Sequence, residues 1–172
     1  MPRRKLMTGL VLLCLLLLLP ACSTSLRKEK EAAAEGVEEA FRQEAKEANQ
    51  KTEDISFYLP AGMIVKSEDK YNHLIQKGSK MFILFINPNE DSKSKVLYQT
   101  AKEGSKDYLL DKTFRADGRF GYLLIQKLKD DLYEVVVGIG GIKMTTETEL
   151  SGLSKDAKSM MEIVRSIKME KE

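Results

Sequence analysis

The chain has 172 residues, 28 of them lysine or arginine and 26 aspartate or glutamate, and its formal net charge is +2. This near balance excludes the concentrated basic surface that nucleic-acid binding requires. The length is sufficient for one domain with a hydrophobic core.

The first 21 residues have the pattern of an export signal. Three cations at positions 3–5 precede an apolar run from Leu6 to Leu19. This run of about 14 residues is shorter than the roughly 20 that a membrane-spanning helix needs. A charged start, a short apolar run and a small residue at the end predict a signal peptide over residues 1–21. After its removal the chain carries 25 basic and 26 acidic residues, so the net positive charge belongs to the leader.

The leader ends in Leu19-Pro20-Ala21-Cys22, which resembles the lipobox of bacterial exported lipoproteins. In that family the cysteine becomes the first mature residue, and its thiol receives a diacylglyceryl group. The resemblance implies lipidation of Cys22 and attachment at the outer face of the cytoplasmic membrane, or at the outer membrane of a Gram-negative cell. Two acyl chains are sufficient for stable attachment, whereas one is not. Pro20 departs from the usual Ser, Ala or Thr, and the alternative is a short anchor that is retained without cleavage.

Residues 22–52 are predicted to form a charged linker after the lipid anchor. They are rich in Glu, Lys, Ala and Gln and contain no proline, which favours a helix. A thin apolar face is formed by Ala33, Val37, Ala40, Phe41, Ala45 and Ala48. One interpretation is a solvated helical spacer that lifts the domain from the membrane. The other is that this face docks a partner helix, with Phe41 as its one large contact.

The globular domain is predicted to cover residues 53–172. Turn residues separate four expected strands in its first half, at 55–59, 63–66, 73–76 and 81–86. The last of these, Met81 to Ile86, is the most apolar run outside the leader, and we expect it to be the central strand. The residues from Ser92 to about Glu103 are expected to form a helix that stops at Gly104.

The second half is predicted to be an antiparallel meander followed by a helix. Short turns separate four expected strands, at 108–114, 120–127, 132–139 and 142–147. The last helix should begin with Ser154 as its N-cap and carry Asp156 in its first turn. The fold class is therefore α+β, an antiparallel sheet of about six to eight strands flanked by helices and preceded by the signal and the helical spacer.

Two short motifs resemble those of the PsbP-like and DcrB-like proteins. Phe57-Tyr58-Leu59-Pro60-Ala61-Gly62 resembles the strand and turn that open those domains, and Met161–Ile167 is similar to their terminal helix. The resemblance implies an α/β/α sandwich and no activity. Known members are mostly non-catalytic assembly or binding proteins, and a fold does not define a function.

Catalytic and metal-binding signatures are sparse in this sequence. Cys14 lies in the leader and Cys22 would be acylated, so the mature chain offers no free thiol for a disulfide, a metal or a nucleophile. We expect His73, the one histidine, to lie on the surface at a strand edge. We expect no catalytic residues, no metal site and no cofactor, and the protein is not expected to be an enzyme.

Three further groups of residues have competing interpretations. Gly138–Gly141 lacks the dinucleotide fingerprint and lies between two expected strands, so it is interpreted as a bulge or a tight hairpin. Asn87–Asp91 is read as a helix-entry turn, with Asp91 or Ser92 as the cap, in preference to a calcium loop. Arg115 and Arg119 either form a small cationic tip or are simply exposed to solvent.

These patterns predict a non-catalytic interaction module at the bacterial cell envelope. Its expected partners are the membrane, through lipid on Cys22, and a protein or another envelope component, with no nucleic acid. The alternative is a protein that binds a small molecule, lipid or ion in a pocket between the sheet and the terminal helix, lined by Met160 and Met161. A third alternative, an envelope hydrolase, rests on location alone.

Overall fold

The computed structural model describes residues 21–104 and 107–170. Residues 1–20 lie outside this part, so most of the expected signal peptide falls outside the described residues. The helices are α1 (Ala21–Arg42), α2 (Val96–Gly104) and α3 (Leu153–Ser166), the last preceded by a 3₁₀ turn at Leu150–Gly152. The strands are β1 (Gln50–Lys51), β2 (Ile55–Phe57), β3 (Ile64–Glu68), β4 (Asn72–Lys77), β5 (Lys80–Ile86), β6 (Tyr108–Ala116), β7 (Arg119–Lys129), β8 (Leu132–Ile139), β9 (Ile142–Glu149) and β10 (Lys168–Met169).

The main sheet has seven strands in the order β3-β4-β5-β9-β8-β7-β6, and every neighbouring pair is antiparallel. The predicted α+β class and the meander from β6 to β9 are therefore confirmed. The central strand is β9, however, and not the apolar β5, which is the third strand from the β3 edge. The sequence of β5 is apolar on both faces, and this is why it resembles a central strand.

One face of the sheet, which we call the inner face, packs against α1 and α3. The large core contains inward side chains of alternate strand positions, including Phe82, Leu84, Val135, Val137 and Met144, each 0% exposed. Helix α3 contributes its predicted apolar face to this core. Alternation of side chains along each strand therefore decides which residues meet the two helices.

Helix α1 belongs to the domain, which differs from the expected spacer. It ends at Arg42 and packs along α3, so closely that Gly36 lies against the side chain of Lys158. Phe41 is 0% exposed in the core of this same chain, so it is not available as a contact for another protein. The apolar face of α1 is covered by α3 and β6 of the same chain, and not by the partner helix of another protein that the sequence suggested.

The predicted domain boundary at residue 53 falls inside a second, small sheet. This three-stranded antiparallel sheet has the order β1-β2-β10, and β1 lies before residue 53. The sheet joins the segment after α1 to the residues that follow α3. Residues from α1 onward therefore form one structural unit with the rest of the described chain.

Helix α3 begins two residues earlier than expected and is capped differently. Gly152 occupies the N-cap position and makes no side-chain capping bond. The backbone N–H of Ser154 donates instead to the Glu29 carboxylate of α1, at 3.3 Å. A carboxylate near a helix N-terminus is favourable because of the partial positive charge there. None of the helices in the described part of the chain is long and apolar enough to cross a membrane.

The opposite face of the sheet, which we call the outer face, carries α2 over the strands β6 to β8. Tyr98 of α2 packs its ring against Phe120 and Tyr122 of β7, with ring centroids 5.5 Å away in both pairs. The helix begins at Val96 and not at Ser92, and the Ser94 hydroxyl accepts the Val96 N–H at 3.1 Å. The layers are therefore helices, sheet and helix, which is the arrangement that the motif resemblance implied.

Candidate binding site

The outer face beyond α2 carries an open groove. Helix α2 has nine residues and covers only one half of the sheet, so no helix of the described residues lies over the outward side chains of β4, β5 and β9. The groove has a volume of about 700 Å³. We call it the outer-face groove, and its chemistry is decided by Leu74, Ile83, Glu134, Thr145, Glu147 and Glu149.

The floor of the outer-face groove is a row of apolar and threonine side chains. Leu74 of β4 lies opposite Ile83 of β5, and Ile83 lies opposite Thr145 of β9. Ile83 is 50% exposed although its strand is in the interior of the sheet. Removing such apolar area from water on binding is favourable, at about 25 cal/mol per Å².

The wall of the outer-face groove is acidic. Glu134 of β8 lies directly opposite Glu147 of β9, and Glu149 lies further along β9. The Gln126 amide donates to Glu134 at 2.9 Å, but no cation among residues 21–104 and 107–170 forms an ion pair with any of these three carboxylates. Like charges directly opposite in a sheet are destabilising. This arrangement therefore favours a cationic group in the groove.

Lys80 also lines the outer-face groove, but its charge is already neutralised. Its ammonium group pairs with Asp156, which lies in the first turn of α3 and is 5% exposed. The Thr148 hydroxyl donates to the same carboxylate at 2.7 Å. Asp156 thus has a specific partner in addition to the helix dipole that the sequence suggested. Because Lys80 is paired, the groove retains the negative charge of its three glutamates.

The polar side chains of the outer-face groove determine which occupant it would fit. Its polar side chains are carboxylates, threonines, serines and the paired Lys80, with no histidine or cysteine among the described residues that line it. Across the described residues, no three His, Cys, Asp or Glu side chains are grouped as metal ligands would be. The best-fitting occupant combines an apolar group over Ile83 with a positive charge near Glu134 and Glu147.

His73 is buried, which corrects the expected surface position. It is 2% exposed on the inner side of β4, with its ring edge-on to Phe57 of the small sheet. Its Nε2 lies 3.4 Å from the Thr52 hydroxyl, and its Nδ1 has no hydrogen-bond partner among the residues that the structure describes. Burial lowers the pKa of His73 below its ordinary value, and the charges of Glu68, Asp54 and Asp69 oppose this shift only in part. The ring is therefore neutral at neutral pH.

We expect the free energy of unfolding to fall with acidification because of His73. Its folded-state pKa is below the ordinary value of 6.5, so the unfolded chain takes up the proton first as the pH drops. The stabilising contribution is complete above pH 6.5 and is lost between that value and the lower folded-state pKa, at about 1.4 kcal/mol per unit of separation. Urea unfolding at pH 7.5, 6.5 and 5.5 should show a steeper loss for the native chain than for His73→Gln. Equal slopes would show that His73 does not titrate in this way.

The remaining sequence predictions have mixed outcomes. Cys22 is the second residue of α1. Met160 and Met161 are 0% exposed in the core between α3 and the sheet, so they do not line an open pocket as the ligand-binding alternative required. Gly140 and Gly141 form the turn of the β8–β9 hairpin, as read from the sequence.

The loop at Asn87–Asp91 uses its side-chain oxygens within the loop itself. Asn87 accepts a backbone N–H from Asn89 at 3.1 Å, and Asp91 accepts one from Lys93 at 2.8 Å. This is the geometry of a turn, although neither Asp91 nor Ser92 caps α2. Arg115 and Arg119 do lie together, since both line a cavity of about 450 Å³ beside the β6–β7 turn.

Sequence reasoning did not identify the outer-face groove. A usable signal was present, because β5 is apolar at outward as well as inward positions and the outward positions of β9 include Glu147 and Glu149. What the sequence could not give was the reach of α2, which decides how much of this face is covered.

No family model matches this chain, and no curated protein matches it. The solved structures that resemble it include the cyanobacterial PsbP (CyanoP) from Synechocystis sp. PCC 6803. That protein is 13% identical over 67% of this chain and 86% of its own, with a TM-score of 0.42. A second is a protein from Bacteroides thetaiotaomicron VPI-5482, 16% identical over 69% of this chain and 46% of its own, with a TM-score of 0.37. Similarity at this level assigns neither a family nor an activity.

Proposed function

We propose that this protein is a lipoprotein of the bacterial cell envelope that acts as a non-catalytic binding module. Acyl chains on Cys22 would hold it at the outer face of the cytoplasmic membrane, or at the outer membrane of a Gram-negative cell. Its outer-face groove would bind a segment of a partner protein. The observation that carries the proposal is the pair of facing carboxylates, Glu134 and Glu147, which have no cationic partner in the described part of the chain and lie beside the exposed Ile83.

The occupant of the groove is inferred from charge complementarity. The three glutamates have no cationic partner among the described residues, so a lysine or arginine would complement their charge. An apolar side chain beside that cation would cover the exposed Ile83. A protein segment can supply both at fixed spacing, whereas a simple cation would leave the apolar floor exposed. Complementary potentials of this kind chiefly give specificity and fast association. We therefore favour a basic segment with an apolar anchor.

Lipidation at Cys22 would place the domain directly against the membrane, because α1 is not a spacer. Leu26 already packs on the core, and the Lys30 ammonium donates to the Leu109 carbonyl at 3.0 Å. The helix rises only about 6 Å over the four residue steps from Cys22 to Leu26. Ser151 and Gly152 line one end of the groove and directly precede α3. The first turn of α3 contacts Glu29 of α1, so this end of the groove lies near the N-terminal part of α1. One end of the groove would therefore open near the membrane, where a membrane-bound partner can reach it.

The anchor is tested by Cys22→Ser. We expect this variant to remain at precursor size or to be released into the soluble fraction. Serine offers no thiol for acylation, and both acyl chains of the diacylglyceryl group would be attached through that thiol, so the variant loses both. Membrane fractionation with immunoblotting measures both retention and size. Arg27→Ser, at an exposed position of α1 five residues after Cys22, serves as the control and should stay membrane-bound. Membrane retention of Cys22→Ser at mature size would contradict lipidation.

A further inference from the structure

Two arginines meet at the end of the domain where α3 stops and β7 begins. Arg165 lies in the last turn of α3, and Arg119 is the first residue of β7. Both line a cavity of about 260 Å³ whose opposite wall includes Asn87 and Ser92 from the loop before α2. Arg119 also borders the neighbouring cavity of about 450 Å³, where Lys93, Lys95 and Arg115 lie.

The hydrogen-bonding capacity of these arginines is largely unused. Arg119 donates from one Nη to Asp117 at 2.7 Å, whereas the side chain of Arg165 makes no hydrogen bond or ion pair to any described residue. The Nε of each arginine is buried and has no partner among residues 21–104 and 107–170. A buried donor without an acceptor costs about 1–3 kcal/mol. One ligand with several acceptor oxygens would satisfy both donors.

Two arginines and two carboxylates line the smaller cavity, and the excess of positive charge comes from the cations of the neighbouring cavity. The pKa of Arg165 is lowered by burial and by the charge of Arg119, while Asp117 acts in the opposite direction. Glu90 and Asp91 also line the cavity, but neither forms an ion pair with Arg119 or Arg165. The two cavities together are bordered by five cations and three carboxylates. An anion is therefore the complementary ligand.

We propose that Arg119 and Arg165 bind a phosphate group, either inorganic phosphate or the phosphate of a small soluble molecule. Planar guanidinium groups donate two parallel hydrogen bonds to such an oxyanion, which a lysine cannot do. The unpaired Nε atoms would become donors in this interaction, and Ser92 and Asn87 supply further polar groups at the wall.

The position of the site favours a soluble ligand over a lipid headgroup, a step that rests on the proposed anchor at Cys22. Arg119 lies over the ring of Phe41, near the end of α1. About 20 helical residues, or roughly 30 Å, separate that end from Cys22. Phosphate groups of the anchoring membrane would therefore not reach the two arginines.

The test is titration of the full chain in detergent with inorganic phosphate. Isothermal titration calorimetry and ³¹P NMR measure the binding. We expect Arg165→Gln to weaken binding at least tenfold. Arg42→Gln, at the same end of the molecule but paired with Glu38, should leave it unchanged. Arg165→Lys keeps the charge and the stem, and it should also weaken binding, because the paired hydrogen bonds are lost. Circular dichroism confirms that each variant is folded, and O-phosphoserine serves as a phosphorylated small molecule.

Three results would overturn this proposal. The first is no binding of either inorganic phosphate or O-phosphoserine. The second is equal weakening by Arg165→Gln and Arg42→Gln, which would indicate general charge attraction. The third is binding only to phosphatidylglycerol vesicles, which would replace the soluble ligand with a lipid. Because this titration involves neither the outer-face groove nor the acylation of Cys22, its outcome is separate from that of the proposed protein-binding function.

Discussion

Phe41→Ala is expected to lower the free energy of unfolding by about 3–5 kcal/mol, the cost of removing a buried phenylalanine. The ring is 0% exposed and lies 5.9 Å, between centroids, from that of Phe114. Its packing on β7 is so close that a Cβ added at Gly121 would lie 2.7 Å from it. Little room exists for the surroundings to collapse into the space left by truncation. Urea unfolding followed by circular dichroism measures the change.

Glu35→Ala is the matched control, because Glu35 is an exposed residue of the same helix. It should change stability by less than about 0.5 kcal/mol, as surface substitutions usually do. A solvated spacer would show the same small effect for both variants. A loss below 0.5 kcal/mol for Phe41→Ala would therefore show that α1 is a solvated spacer. In that case a lipid at Cys22 would not hold the domain against the membrane.

Gly140→Ala is expected to cost about 3 kcal/mol or more. Gly140 has a φ of +54°, which costs other residues about 1–2 kcal/mol. A Cβ at this position would also overlap the carbonyl oxygen of Asp91 and lie 2.5 Å from the Cα of Ser92. Relief of this overlap requires a shift of backbone, which adds roughly 1–3 kcal/mol. Thermal and urea unfolding measure the sum.

Gly78→Ala separates the two contributions. Gly78 has a similar φ of +59°, but a Cβ there would meet no heavy atom within 4 Å. It should show only the conformational cost of about 1–2 kcal/mol. Equal losses in the two variants would mean that the loop at Asp91 and Ser92 moves away from the β8–β9 hairpin at no measurable cost. In that case Ser92 and Asn87 would not be held in place beside Arg119 and Arg165.

The strands of the meander could be predicted well because their signals are local. Residues 132–139 were predicted as a strand, and β8 has those bounds. Alternation of inward and outward residues, with two-residue turns at Asp117-Gly118 and Gly140-Gly141, is contained within each hairpin. A reader of the sequence needs no information about the rest of the chain to find them.

The position of α1 could not be predicted because its contacts are distant in sequence. The apolar face that includes Val37 and Phe41 is visible, but what covers it is α3, more than 100 residues later. Burial of His73 was missed for the same reason. His73 is covered by the small sheet. Two of its strands, β1 and β10, have only two residues each, which is too short for a recognisable sequence pattern.

The two candidate sites depend on arrangement more than on motif. Glu134 and Glu147 belong to different strands, and only the register of β8 with β9 places them opposite each other. Arg165 and Arg119 are 46 positions apart in sequence and meet because α3 ends near the start of β7. No spacing rule connects either pair, so neither could be recognised before the fold was known.

The central claim, that the outer-face groove binds a partner protein, is tested most directly by photo-crosslinking in cells. A photoreactive amino acid is placed at Ile83 of the full-length, membrane-attached chain. The control position is Val96, which is 44% exposed and lies outside the groove. We predict one dominant protein adduct from position 83 and none from position 96, and its loss when Glu134 and Glu147 are changed to lysine. Adducts only to lipid or glycan, no adduct from position 83, or the same adducts from both positions would contradict the account.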